Sequence, residues 1–173
     1  MKLDLGCGQN KRQGFKGVDI APGPGVDFVW DLNKYPWQPF KDNSVEEGNI
    51  SHYIEHVPDL MSFMNELWRI CTPDAKINIV APYYTSIRAW GDPTHVRAIN
   101  EWTFLYFTDK WRMDPANKPV VGHYPIKANF DIELMYFFFN PPWDKKSDEA
   151  KQFAQQHYWN VVSDIVFELR AVK

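Results

Sequence analysis

The sequence predicts an α/β fold: one mixed, mostly parallel sheet with helices on both faces and an insertion after the fifth strand. Three observations carry this prediction. The first half alternates short apolar runs with turns or a helix, the pattern of a parallel sheet with crossover connections. Glycines or acids stand at the ends of several of these runs. After an irregular middle region, two long strand-like runs flank one polar helical stretch, which suits an antiparallel edge on such a sheet.

Leu3-Asp4-Leu5 reads as strand one, ending at Gly6 and Gly8. Lys16 to Ile20 reads as strand two, Val26 to Trp30 as strand three, Ser44 to Ile50 as strand four and Lys76 to Ala81 as strand five. Between strands four and five, Leu60, Phe63, Met64, Leu67 and Cys71 recur at helical spacing, with Pro58-Asp59 before them and Pro73 after. That spacing predicts a helix from Asp59 to about Cys71 covering one face of the sheet. From Tyr83 to about Pro125 periodicity is lost among Pro, Trp, Asp and His, as expected of an insertion. Within it, Glu101 to Phe107 reads as a helix whose aromatic residues roof a pocket or plug the core. Asn129 to Phe139 and Val161 to Val172 read as the final strands, around a helix from Ser147 to about His157. The chain is thus expected to be one domain over 1–173, with a ligand-binding half (1–84), an insertion (85–125) and C-terminal strands (126–173).

Composition narrows the function. The 173 residues are enough for one substantial core. Aromatic residues make up 16% of the chain, which suits either flat pocket walls or an aromatic core. The formal charge of -3 arises from 19 basic and 22 acidic residues mixed along the chain, without a tract able to neutralise a row of phosphates, so a nucleic-acid duplex is not an expected partner. Cys7 and Cys71 are the only cysteines, neither a disulfide framework nor a metal knuckle, and they point to a reducing, cytoplasmic setting. No apolar run reaches membrane-spanning length, so no membrane partner is expected. Oligomeric state is not legible.

In open parallel sheets ligands bind beyond the carboxyl ends of the strands, at the switch in strand order. Gly6 and Gly8 would let the backbone approach a ligand there. Gly-Val-Asp-Ile at 17 to 20 ends a strand in Asp19, a carboxylate able to accept from two vicinal ribose hydroxyls. Asp31, at the end of strand three, is placed to accept from an exocyclic adenine amine, with Leu32 packing on the base; a turn acid is the bland alternative.

Taken together, Leu-Asp-Leu-Gly-Cys-Gly at 3 to 8, Gly-Val-Asp-Ile at 17 to 20, Asp31, and Ser-His-Tyr-Ile-Glu-His-Val at 51 to 57 resemble the class I S-adenosylmethionine-dependent methyltransferases. The resemblance spans about Met1 to Tyr84. It implies a Rossmann-like sheet, with S-adenosylmethionine as cofactor and S-adenosylhomocysteine as product. It further implies that Gly6 and Gly8 form the methionine-side loop, that Asp19 holds the ribose, that Asp31 and Leu32 meet the adenine, that Ser51 and His52 line the methionine end, and that Asp4 and Ile20 also bind the cofactor. Two departures are specific. Ten residues between Gly8 and Asp19 leave no room for a full first helix, so Asn10 to Phe15 should be a clipped turn. Asp74-Ala75 also stands where the family usually has Gly-Gly before strand five.

Other readings use the same residues. A protein that binds the cofactor without catalysis would need only the first half. A nicotinamide oxidoreductase is disfavoured because Lys11 stands where a third glycine is needed. His52-Tyr53-Ile54-Glu55-His56 matches the H-x-x-E-H zinc-hydrolase pattern, but strand four runs straight into His52 and Pro58 follows closely, so no metal is expected.

Methyl transfer from a sulfonium needs in-line alignment and, for a hydroxyl or ammonium acceptor, removal of a proton. Trp90 to Arg97 offers His95 as the proton acceptor, Asp92 to orient it and Arg97 to fix an anionic acceptor. Tyr83, as a further catalytic candidate, and Tyr84, as an acceptor contact, stand just past strand five. The expected partner is a small polar molecule presenting a hydroxyl, amine or carboxylate.

Overall fold

The computed structural model describes all 173 residues. Its frame is a seven-stranded sheet built from β1 (Lys2–Leu5), β2 (Lys16–Asp19), β3 (Phe28–Val29), β4 (Val45–Ser51), β5 (Cys71–Pro82), β6 (Phe130–Phe139) and β7 (Val162–Ala171), in the spatial order β3-β2-β1-β4-β5-β7-β6. The first five are parallel, and β7 inserts antiparallel between β5 and β6. This is the mixed, mostly parallel Rossmann-like sheet that the sequence implies, with the order reversing between β1 and β4.

Helix α1 (Leu60–Ile70) makes the β4-to-β5 crossover. Asp59 caps it, accepting from the Ser62 N–H at 3.0 Å, a contact of the kind typically worth about 1 kcal/mol. Leu60, Phe63, Met64, Leu67 and Ile70 form its buried stripe. Cys71 begins β5 rather than ending the helix, because its backbone is already extended (ψ 140°) and pairs with Val45. Strand β5 is thereby twelve residues long. Asp74 adopts a left-handed φ of 61°, the geometry for which the family's glycine is suited, and Arg170 pairs with its carboxylate at 2.9 Å.

The insertion holds α2 (Ile87–Gly91), α3 (Asp109–Arg112) and α4 (Lys118–Val121). The helix expected over 101–107 is instead a series of turns ending in one 3-10 turn at Leu105–Phe107. Phe104 and Phe107 are buried in the core while Trp102 is exposed. The core takes the two phenylalanines from a tight turn, without an amphipathic stripe. Helix α5 (Asp148–His157), capped by Ser147, precedes β7. Strand three shrinks from the expected five residues to Phe28–Val29.

The expectation of helices on both faces is corrected. The two long helices join the apolar face, α1 through its stripe and α5 through Ala154, in one cluster with Leu5, Ile50, Ile79 and Phe167. Between β1 and β2, and between β2 and β3, there is no helix. Those connections are too short for one, as the spacing from Gly8 to Asp19 requires. The opposite face carries aligned polar rungs instead: Lys2, Glu47, Lys76, Arg170 and Asp131 in one, Asp4, Asn49, Asn78 and Glu168 in the next. Arg12 and Phe15 of the clipped turn cover the β1 side of this face. Residues that register onto a solvent-facing surface need charge rather than a covering helix.

No helix is long and apolar enough to cross a membrane.

Candidate functional site

At the carboxyl end of β1 the chain turns through Gly6 (φ 69°) and Gly8 (φ 53°), both in the left-handed region where a side chain is disfavoured. The Gly6 N–H donates to the Val18 carbonyl at 2.9 Å, and the Gly8 N–H donates to Asp19 Oδ2 at 2.8 Å. Asp19 Oδ1 accepts from the Ala21 N–H at 3.2 Å. Backbone donors thus fix the carboxylate at the strand end, and an ionised carboxylate still has lone pairs to offer a ligand.

Asp19 shares a small cavity of about 110 Å³ with Gly6, Ile20, Trp30, Asp31, Leu32, Asn33 and Tyr53. Every residue that the resemblance assigns to ribose or adenine is in this lining. Asp31 is also a turn acid: its Oδ1 accepts from the Asn33 N–H at 3.0 Å, and Lys34 stands 3.8 Å from Oδ2. Leu32 is almost wholly buried, so Ile20, two-thirds exposed, is the freer apolar contact. Trp30 and Tyr53 escaped sequence reasoning. A Cβ on Gly6 would lie 2.3 Å from the Tyr53 ring, so that ring needs a glycine there, and burial pushes the Tyr53 hydroxyl up to about 12.

On the other side of Gly6 a second cavity, about 360 Å³, is lined by Asp4, Cys7, Asn10, Arg12, Asn49 and Ser51. Asp4 is committed within it: Oδ2 accepts from the Arg12 N–H and Oδ1 from Asn49 Nδ2, each at 2.7 Å. Arg12, which no motif singles out, donates to Asn49 Oδ1 at 3.1 Å and is the cation of this rim, beside the Asp4 carboxylate.

A third cavity of about 520 Å³ opens past β4 and β5, lined by His52, Glu55, His56, Arg88, Asp92 and His95 together with Pro82, Gly91 and Pro93. His52, whose φ of 52° is left-handed, lines this cavity and not the one shared by Asp4 and Ser51. Ile54–His56 forms a single 3-10 turn. His52 lies before that turn, so the two histidines of H-x-x-E-H are not stacked one helical turn apart, and the zinc-hydrolase arrangement is not formed. His95 comes instead from the insertion, its ring 4.6 Å from that of His56. Asp92 is turned toward Thr94, accepting from its N–H at 2.8 Å and its hydroxyl at 2.6 Å, bonds that hold its carboxyl below the ordinary range. Its other oxygen lies 3.9 Å from His95 Nε2.

Three candidates fall outside this cavity. Tyr83 is 2% exposed, and its hydroxyl donates to Glu101 at 2.6 Å while accepting from Gln155; burial raises its pKa well above the ordinary value. The catalytic expectation for Tyr83 is corrected to a core residue. Tyr84 packs edge-on against Tyr83, and its carbonyl accepts from the Trp90 indole at 2.8 Å. Arg97 is corrected as well: its Nε and Nη2 donate to the carbonyls of Val57 and Pro58, so its fork ties down the turn before α1 and is not free for an anion. Arg88 is the guanidinium that lines the cavity, held two-pronged by Asp164 at 3.0 Å.

Neither a family model nor a curated protein matches the chain. Solved structures do. A SAM-dependent methyltransferase from Archaeoglobus fulgidus superposes with a TM-score of 0.61 at 18% identity, over 98% of this chain and 85% of that one. An S-adenosylmethionine-dependent methyltransferase from Mesorhizobium loti gives 0.54 at 12% identity, over 98% and 89%. The [4+2]-cyclase SpnF gives 0.57 at 12% identity, over 99% and 74%. At these identities the likeness is one of fold, and the chain has the fold of the class I S-adenosylmethionine-dependent methyltransferases.

Proposed function

We propose that the protein is an S-adenosylmethionine-dependent methyltransferase acting on a small polar acceptor. The observation that carries this reading is the placement of Asp19, fixed by the Gly8 N–H at the strand end and sharing a cavity with Asp31. The residues present fit the cofactor by donor chemistry. Two carboxylates face the side where hydroxyls and an amine must be accepted, and the Arg12 guanidinium faces the side where a carboxylate must be held, with Asp4 there already accepting from the Arg12 N–H and Asn49.

When bound, S-adenosylmethionine supplies an already activated methyl group. Asp19 accepts from the ribose hydroxyls and Asp31 from the adenine amine, while Ile20, Leu32, Trp30 and Tyr53 enclose the base. Gly6 and Ser51 border the methionine side, where Arg12 pairs with the carboxylate. The acceptor occupies the cavity lined by His52, Arg88 and His95, and its proton is taken up by an imidazole of this lining. Asp92 positions this end by holding Thr94.

The test is calorimetry with S-adenosylhomocysteine, followed by a metabolite panel screened for its release from S-adenosylmethionine. Binding in the low-micromolar range with at least one acceptor turned over is the expected result. Preference for a nicotinamide dinucleotide would overturn the reading. A second reading, cofactor binding without methyl transfer, gains support from the likeness to a cyclase of the same fold. Binding without turnover across the panel favours it.

A further inference from the structure

We propose that Glu55, His56 and His95 form a binding site for one divalent transition-metal ion. Each offers one ligand atom, and these atoms all lie within 4.8 Å of one another. Tetrahedral ligands at about 2.1 Å from an ion stand about 3.4 Å apart, so side-chain adjustments of about an ångström close the site.

The second observation is independent of that spacing. Glu55 is 2% exposed, and neither carboxylate oxygen has a hydrogen-bond partner. A buried carboxylate without donors is costly, and such groups are normally paired or metal-bound. His52 Nδ1 lies 3.6 Å and His95 Nε2 3.9 Å from Glu55 Oε1, both beyond hydrogen-bond range.

The imidazoles are set as ligands. His95 Nδ1 lies 3.1 Å from the Ala89 carbonyl, which can only accept, so in the neutral imidazole Nδ1 carries the proton and Nε2 the lone pair. Thr94 spends its hydroxyl proton on Asp92, so its Oγ1 accepts from His56 Nδ1 at 3.0 Å, and His56 Nε2 is left with its lone pair as well. Two imidazoles and an unpartnered carboxylate thus stand with their ligand atoms within 4.8 Å of one another. A cation is what that set lacks, and backbone or hydroxyl acceptors behind each ring are the usual support of metal-bound histidine.

Two imidazoles and one carboxylate suit zinc, iron(II), cobalt or manganese, with coordination positions left open. The open side gives onto the 520 Å³ cavity. This use of the ion rests on the methyltransferase reading: an acceptor hydroxyl bound there is acidified, and its proton passes to His52, the remaining imidazole of the lining. With the ion in place His95 is a ligand, and its loss is felt through the ion.

The experiment uses the full chain, stripped with a chelator and titrated with cobalt(II) and zinc, followed by cobalt visible absorption and by calorimetry. S-Adenosylhomocysteine is titrated in parallel. One ion per chain is expected, with affinity falling about 100-fold or more in Glu55→Gln and in His56→Gln, two shape-preserving variants whose folding circular dichroism verifies. No binding in the wild type, or wild-type affinity retained in both variants, overturns the site. Metal binding without S-adenosylhomocysteine binding supports the site and removes the methyltransferase reading. S-Adenosylhomocysteine binding without metal removes the site alone.

Discussion

The two ends of the crevice treat their acids in opposite ways. Asp19 is met by two backbone N–H groups, whereas Glu55 is buried more deeply with no donor at all. The difference is one of origin. Backbone geometry at a Gly-x-Gly turn supplies donors with the fold itself, so the Asp19 end is built before any ligand arrives. The Glu55 end is assembled from a 3-10 turn and an insertion loop, and its charge awaits a partner from outside. Binding should therefore be lost in modest steps at the first end, and chemistry in large ones at the second.

The largest effect is expected at His95. With a hydroxyl acceptor, His95→Ala should slow turnover by about 10² to 10⁴ while S-adenosylhomocysteine affinity stays within twofold. Normal turnover would erase the contrast between the ends. Next, Asp19→Ala should weaken S-adenosylhomocysteine by about 1 to 3 kcal/mol in calorimetry, the usual loss of a charge-assisted bond. Unchanged affinity would remove the ribose assignment.

The two corrected residues sharpen the boundary of the acceptor end. Arg97→Ala should cost about 1 to 2 kcal/mol in denaturant unfolding, because the Val57 and Pro58 carbonyls lose a charged donor, with no change in acceptor KM. A raised KM at unchanged stability would return Arg97 to the acceptor. Tyr83→Phe should cost about 1 kcal/mol and leave kcat unaltered, since the hydroxyl serves only Glu101 and Gln155.

The smallest effect concerns pH. Burial raises the Tyr53 hydroxyl to about 12 in the folded chain, above its unfolded value of about 10. The folded state therefore favours the protonated phenol. That contribution is complete below pH 10 and is lost as pH rises toward 12, by less than about 1 kcal/mol after solvent screening. Alkaline unfolding of Tyr53→Phe should lack this slope; an identical slope would place the Tyr53 ring in solvent.

Much of this was legible in the chain. Leu3 to Gly8, Gly17 to Ile20 and the stripe from Leu60 to Leu67 are local patterns, and they fix strands, turn and helix because burial and backbone conformation repeat at their periods. Asp19 and Asp31 could be read as site residues because a strand end is a place in sequence as well as in space. The clipped turn followed from a residue count. Trp30, Tyr53 and Arg12 had no such signal, since which way their side chains turn is settled only by their neighbours in the fold.

What only the tertiary structure decided is which side chains meet across distance and which are already spent. His95 is thirty-nine positions beyond His56 in the chain, yet their rings touch. Tyr83 and Arg97 have the right chemistry, but Glu101 and the Val57 and Pro58 carbonyls have claimed it. The sequence by itself determined most of the strands and the acids at their ends, because these depend on period and conformation within a few residues, whereas the strand order came from the structure. The cavity beyond β4 and β5 was decided by packing of the insertion against the turn at 54–58, since hydrogen-bond saturation and burial of a carboxylate are properties of neighbours that the chain brings together only on folding.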